Sequence, residues 1–301
     1  MKFLRSFLAN TQVDFMRVHK LALIASIVCI IGSFAIIFFK GLNFGIDFSG
    51  GILMEVRIEK SQTEQVRSVL VEKIKDVQIQ NIGEKDFLIR IAKSNDSNAS
   101  QAEEVKKIQE ILNQNFANIE YRKVDYVGPQ VGSELIGKGF MALLLSFVFI
   151  MIYIWVRFDW QFGLGGIFAL IHDAVLTLGF YSVTGLEFNL TSIAAILTVI
   201  GYSINDSVVI YDRIRENLHK FKKMDLAELI NSSVNSTLSR TLLTSGATLL
   251  SLLALVLFGG EVLKSFSQAA FFGILVGTYS SIYISAPILL YLDPRKAQKK
   301  S

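Results

Sequence analysis

Long apolar blocks dominate the chain, interrupted once by a stretch with shorter periods. Uncharged runs cover residues 21–39, 139–156, 241–260 and 265–292. At ~1.5 Å of helix rise per residue, each is long enough to cross a hydrocarbon core of ~30 Å. Residues 161–186 and 188–211 are equally apolar but carry His172, Asp173 and Asp206. The pattern predicts six membrane-spanning helices. The first is too long for a signal-peptide core and no Ala-x-Ala site follows, so it is expected to be an uncleaved anchor. Before it, Phe3, Leu4, Phe7 and Leu8 line one face of residues 1–20, which predicts an amphipathic helix lying on the cytoplasmic surface.

Residues 41–138 read differently. Residues 52–58 alternate as a strand does, Ser61 and Glu64 form a capping box that opens a helix to about 75, and 77–82 and 87–92 alternate across a turn at 83–86. A polar loop follows at 95–100. Ser100 and Glu103 open a second helix to about 116, and 119–127 closes the pattern as a strand. The order βαββαβ predicts a ferredoxin-like sandwich, two helices on one face of a four-stranded sheet. The fold class is thus a membrane all-α protein of six transmembrane helices with an inserted α+β domain. Its parts are 1–40 (amphipathic segment and first span), 41–138 (the α+β domain) and 139–301 (five spans, with a charged cytoplasmic loop at 212–236).

Charge adds orientation. Lys2, Arg5, Arg17 and Lys20 precede the first span; Arg157 separates the second and third; Arg213, Arg215, Lys220, Lys222 and Lys223 follow the fourth; Arg295, Lys296, Lys299 and Lys300 follow the sixth. Short loops on the other side hold only Lys264. The positive-inside rule places both termini in the cytoplasm and the α+β domain outside it. Of 301 residues 51% are hydrophobic and 19% charged, with net charge +4, which gives no footprint for nucleic acid. Cys29, the one cysteine, lies in an apolar span and reads as a small hydrophobe. Residues 41–138 contain no His or Cys, so a metal centre or a Ser–His or Cys–His nucleophile is not expected there. No cofactor or metal is expected, and no covalent reaction.

The candidate chemistry is intramembrane charge. Asp206 falls about 9–10 Å inside the edge marked by Asp212 and Arg213. A carboxylate at such depth costs roughly 2.5–3.5 kcal/mol on insertion scales and ordinarily faces a partner or a wet cavity. A structural hydrogen-bonding role near a helix end competes with a functional one. Arg240 is the next charge after Glu228, so the fifth helix is expected to start before it, with a hydroxyl stripe at Thr237, Thr241, Thr244, Thr248 and Ser251. An edge arginine obeying the charge rule explains Arg240 equally well. Asp173 shares a helix face with Gly165, Ala169 and Thr177. His172, one residue away, is expected to point elsewhere. Gly273, Gly277, Ser281 and Ser285 form a small-residue seam for helix packing. Gly45, Gly50 and Gly51 around Asp47 predict a tight turn rather than a phosphate cradle, since no P-loop lysine follows.

These residues closely resemble the SecF members of the SecD/SecF family of bacterial export proteins, in the resistance–nodulation–division superfamily. The matching blocks are FGIDFSGG (44–51), VGPQVGSEL (127–135), the pair at His172 and Asp173, GYSINDSVVIYDRIREN (201–217), TLSRTLLTSGATL (237–249) and the turn at 258–260. The GYSxND block is highly specific; the glycine-rich block is shared with SecD. The resemblance covers nearly the whole chain. It implies a twelve-span unit with SecD, association with the SecYEG channel in the bacterial inner membrane, and use of the proton motive force to assist the translocating polypeptide late in export. It also implies a proton path through Asp206 and Arg240, to which Asn205, in the same motif, and Asp173 are added. An exporter of small solutes, a purely structural subunit and, more distantly, an intramembrane hydrolase are the competing readings. The first would need larger paired domains; the second predicts that neutralising Asp206 or Arg240 has no effect.

Overall fold

The structure, a computed structural model, describes residues 12–59, 63–74, 77–82, 85–91 and 101–295. It divides into two compact units, one formed by Met1–Asn43 and Ala142–Ser301, the other by Phe44–Met141.

In the smaller unit a single helical turn, Ile46–Ser49, leads into strand β1 (Gly51–Ile58). Gly50 and Gly51 have φ of 72° and 128°, a region that side chains disfavour, so these glycines make the expected tight turn. There follow helix α1 (Thr63–Lys73), β2 (Val77–Asn81), β3 (Asp86–Ile91), α2 (Gln101–Asn115) and β4 (Ile119–Val127). The strands run antiparallel in the order β2–β3–β1–β4, with Val56 opposite Phe87 and a register shift between Glu55 and Val56 on the β4 side. Alternation decides the buried face: Ile52, Met54, Val56 and Ile58 join Phe87, Ile89 and Ile91 in one core with Val66 and Leu70 of α1 and Leu112 of α2. Ser61, Ser100, the turn at 83–84 and the loop at 95–100 lie outside the described residues.

Six helices are long and apolar enough to cross a membrane, covering Met16–Lys40, Val131–Arg157, Trp160–Thr184, Leu190–Lys220, Leu226–Phe258 and Leu263–Leu292. The helices are α3 (His19–Lys40), α4 (Pro129–Arg157), α5 (Trp160–Thr184), α6 (Leu190–Lys220), α7 (Leu226–Phe258) and α8 (Gly260–Ser280). A π-helical segment, Ser281–Ser285, continues α8 into Ala286–Leu292. Buried residues make up 61%, 50% and 61% of the most apolar windows of the third, fourth and sixth spans, but only 6%, 11% and 17% of the first, second and fifth. So α5, α6 and α8 form the interior, and α3 and α4 bury few side chains fully. Small residues allow close approach: a Cβ on Gly273 would meet Val199 Cγ2 at 2.3 Å, and one on Gly277 would meet Ser203 Cβ at 3.0 Å. The seam in the sixth span therefore packs within the chain, against α6.

Local signals explain the ends. Asn189 caps α6, its side chain accepting from Ser192 N while Ser192 Oγ accepts from Asn189 N. Asp225 caps α7 by accepting from Ala227 N and Glu228 N. The charged connection at 212–236, helical in pattern, is helical over most of its length: α6 runs on to Lys220 and α7 starts at Leu226, because both helices carry their charged turns past the apolar block. The apolar face of the expected amphipathic helix, Phe3, Leu4, Phe7 and Leu8, lies outside the described residues; within 12–18 a turn and a short 3₁₀ segment, Met16–Val18, precede α3. There Asn231 and Asn235 of α7 hold the backbone, Asn231 accepting from Phe15 N and Asn235 bonding both Val13 N and Val13 O. Residues 1–11 lie outside the described residues.

Candidate functional site

The interior of the helical unit is polar at mid-depth. Asp206, in the middle of α6, is 2% exposed and accepts a hydrogen bond from Ser245 Oγ of α7 at 3.1 Å. Thr278 Oγ1 of α8 donates in turn to Ser245 Oγ at 3.0 Å. Asp206 thus sits where α6, α7 and α8 meet. Ser207 and Thr241, on α6 and α7, add buried hydroxyls without a hydrogen-bond partner among the described residues.

A second carboxylate lies deeper in the same bundle. Asp173 on α5 is fully buried; its Oδ2 accepts from Ser203 Oγ of α6 and from Ser280 Oγ of α8, the latter at 2.7 Å. Its Oδ1 lies 2.9 Å from His172 Nδ1. The expectation that His172 and Asp173 face apart is therefore wrong. Consecutive residues diverge by about 100° around a helix, yet α5 is enclosed on so many sides that both directions lead inward, and the imidazole folds toward its neighbour.

The two acids share their scaffolding. Ser203 and Asp206 lie three residues apart on one face of α6, and Thr278 and Ser280 lie close together on α8. Helix α6 thus carries Asp206 and the Ser203 donor of Asp173, whereas α8 bonds Asp173 directly through Ser280 and reaches Asp206 only through Ser245 of α7.

Arg240 behaves differently. It lies about 21 Å along α7 from the start of that helix, at ~1.5 Å per residue, and is exposed on the outside of the chain, as is Asn205. Among the described residues no ion pair joins Arg240 to Asp206, although its field reaches that carboxyl group. The fifth helix does begin well before Arg240, as expected. The hydroxyl stripe around it is partly spent on α7 itself: Thr237 and Thr244 donate to carbonyls of the preceding turn. Tyr202 reaches across from α6 to the Thr244 carbonyl at 2.7 Å and to Thr248 Oγ1 at 2.6 Å.

Ser245, Thr278 and Ser280 are the site residues that the linear pattern did not single out. A signal for Ser245 existed, since it follows Thr237 and Thr241 at four-residue spacing. Thr278 and Ser280 had none, because the seam of four-residue spacing passes beside them. At the positively charged end of the bundle Arg157 Nη2 bonds Asp212 Oδ1 at 3.0 Å, Arg215 donates to the Arg157 carbonyl and Arg295 to that of Met224. In the smaller unit Gly132 packs against the turn before β1, where a Cβ would meet the Phe48 carbonyl oxygen at 2.8 Å.

The profile for the C-terminal part of protein export membrane protein SecD/SecF matches residues 107–295, and that for the SecD/SecF GG motif matches residues 35–62. The chain belongs to the SecD/SecF family. It is 55% identical over 290 residues to the protein translocase subunit SecF of Rickettsia bellii, covering 95% of each chain. It is 54% identical over 291 residues to that of Rickettsia felis, covering 95% and 94%. Among solved structures it resembles SecDF, a translocon-associated membrane protein from Thermus thermophilus, with a TM-score of 0.86, 37% identity and 95% of this chain covered. A super-membrane-facing form of SecDF gives a TM-score of 0.71 at 38% identity over 97% of this chain. The chain spans 39% and 40% of the length of those two SecDF chains. Gly50 and Gly51 lie within the range matched by the GG motif, and Gly132, Asp173 and Asp206 within that matched by the C-terminal profile.

Proposed function

We propose that this chain is the SecF-type subunit of a bacterial protein-export machinery, and that with a SecD partner it uses the proton motive force to promote late steps of polypeptide translocation. The observation that carries the proposal is Asp206: a carboxyl group buried at the centre of a membrane helix, bound by a hydroxyl and by no cation among the described residues. A charged group so placed is costly, and protonation removes the cost. The bundle is therefore sensitive to whether a proton is present. A charge moved across the whole membrane is worth ~2.3 kcal/mol per 100 mV, enough to bias two helix arrangements severalfold.

Asn205 and Arg240 supply the route's outer side. Both are exposed in this chain at a depth where lipid would be a poor neighbour, which favours a protein partner covering them, the SecD bundle. Approach of that partner, or a shift of α7, would bring the Arg240 charge nearer to Asp206 and favour release of its proton. The ferredoxin-like domain would lie in the periplasm and pass this movement to the emerging polypeptide near the SecYEG channel. The cluster of Arg157, Arg215 and Arg295 at one end of the bundle supports a cytoplasmic location for that end, and with it for both termini, in the inner membrane.

The test is an export assay on membrane vesicles with and without a proton gradient. Asp206→Asn and Arg240→Met are each expected to abolish gradient-dependent stimulation while leaving the assembled complex intact. Stimulation equal to that of the unaltered chain in Asp206→Asn would reject proton coupling at this residue and favour a purely structural subunit.

A further inference from the structure

We propose that His172 and Asp173 act as one proton-binding unit, separate from Asp206, with His172 Nε2 as the atom that receives the proton. It rests on the proton-coupled reading for its use in export, but its chemistry stands on the geometry of α5.

Asp173 is fully buried and its carboxylate has three donors within reach: Ser203 Oγ, Ser280 Oγ and His172 Nδ1. Those bonds fix the imidazole. A neutral ring that donates from Nδ1 carries its lone pair on Nε2. That nitrogen is buried and meets no hydrogen-bond partner among the described residues. The side chain of His172 is 2% exposed, so a basic nitrogen is held unsatisfied inside the bundle.

Charge decides what this unit can do. With His172 neutral and Asp173 ionised, the pair is a net negative charge away from water. Among the described residues no cation forms an ion pair with Asp173 other than His172 itself. From α8 the Tyr279 ring lies 6.1 Å from the imidazole, its hydroxyl engaged with Ser26 Oγ and the Ala22 carbonyl of α3. Besides Tyr279, the groups that α6 and α8 bring to Asp173 among the described residues are the hydroxyls of Ser203 and Ser280. One proton taken from hydronium forms an Nε2–H bond, breaks nothing else in the protein, and turns a buried net charge into a neutral ion pair already in contact.

The surroundings link this event to movement. Ser280 is the last residue of α8 before the π-helical segment Ser281–Ser285. Such segments interrupt the regular backbone ladder and recur at functional sites. Loading His172 weakens the need of Asp173 for its serine donors; Ser203 lies three residues from Asp206 on α6, and Ser280 lies two residues from Thr278, which bonds the Ser245 donor of Asp206.

The chain has three histidines, which makes the unit directly observable. His19→Gln and His219→Gln leave His172 as the one histidine of the full chain, which is labelled with ¹⁵N and placed in lipid bilayers for solid-state NMR between about pH 5 and pH 8. The expected result is an imidazolium with N–H bonds at both ring nitrogens at the acid end, lost across the range in Asp173→Asn. A ring with one N–H at every pH, or an imidazolium that persists unchanged in Asp173→Asn, overturns the proposal. Ser280→Ala provides a milder variant should Asp173→Asn fold poorly: it should change the fraction of imidazolium at a given pH, and an unaltered fraction counts against the unit. The spectrum does not depend on export, so a silent His172 leaves Asp206 standing, and full export stimulation in Asp206→Asn leaves the His172 result standing.

Discussion

The two units of this chain place polarity in opposite ways. In the smaller unit the core is aliphatic and aromatic, built on Met54, Val56, Phe87, Ile89 and Leu112, and the charges stand outside. Asp86 there is half-buried at the rim, bonded by Arg57 through both oxygens, at 2.9 and 3.0 Å, and by Arg122 at 3.3 Å. In the helical unit the outside is apolar, with Phe38, Phe39, Val156 and Phe258 more than four-fifths exposed, while Asp173, Asp206, His172 and a set of serines and threonines are buried. The solvent explains the reversal. Water rewards burial of Met54 and Phe87. Lipid offers no such reward, so packing of small residues and hydrogen bonds hold the helices together, and the interior is where polar groups find partners.

Substitutions sharpen that contrast, and their expected effects fall in a definite order. Phe87→Ala should be the most damaging. It empties a fully buried aromatic site in a water-driven core and should cost the smaller unit about 3–5 kcal/mol, read as a loss of amide protection in β1 and β3. Gly273→Ala comes next. Its added methyl would fall 2.3 Å from Val199 Cγ2, so α6 and α8 must separate, at about 1–3 kcal/mol. Thermal unfolding of the chain in detergent checks this, and an unchanged midpoint would show that the two helices are not tightly fitted.

Ser280→Ala removes one donor from Asp173. Hydrogen bonds between membrane helices average ~0.6 kcal/mol and reach ~1.7, so about 1 kcal/mol is expected, with a shift in the infrared carboxyl band as the specific sign. Asp86→Asn should have the smallest effect, since both arginine partners are a third or more exposed and water screens their charge. Its pH dependence has a definite sign. The hydrogen bond from Arg57, helped by the charge of Arg122, holds the Asp86 carboxyl below the usual carboxylate range. A group depressed in the folded state contributes stability above its unfolded pKa and loses it as pH falls through the folded one. Acid titration below about pH 4 should thus separate the unaltered chain from Asp86→Asn, and the difference should vanish at the acid limit.

Much was legible in the linear pattern. Apolar runs gave the six long helices, alternation gave the four strands, and the last strand matched its expected bounds, Ile119–Val127. Asp206 stood out because one acid in an apolar run is conspicuous. Less was legible where an effect depends on what lies across from a residue. Nothing along α8 marked Thr278 or Ser280 as partners of acids on other helices. His172 was assigned to the wrong direction because helical spacing describes one helix in isolation, whereas α5 is surrounded. Arg240 looked like the natural partner of Asp206 by elimination among charges, yet a nearby hydroxyl from Ser245 occupies the carboxylate.

The sequence by itself determined which segments cross the membrane, which fold in water, and which few ionisable groups lie within apolar surroundings. These follow from local quantities: run length, period and composition. Only the tertiary structure decided which helices are interior, which hydroxyls meet which carboxylate, and that His172 and Asp173 share one bond while Arg240 and Asn205 face outward. Those depend on how helices rotate and approach one another, a choice made by many weak packing contacts together and carried by no single stretch of chain.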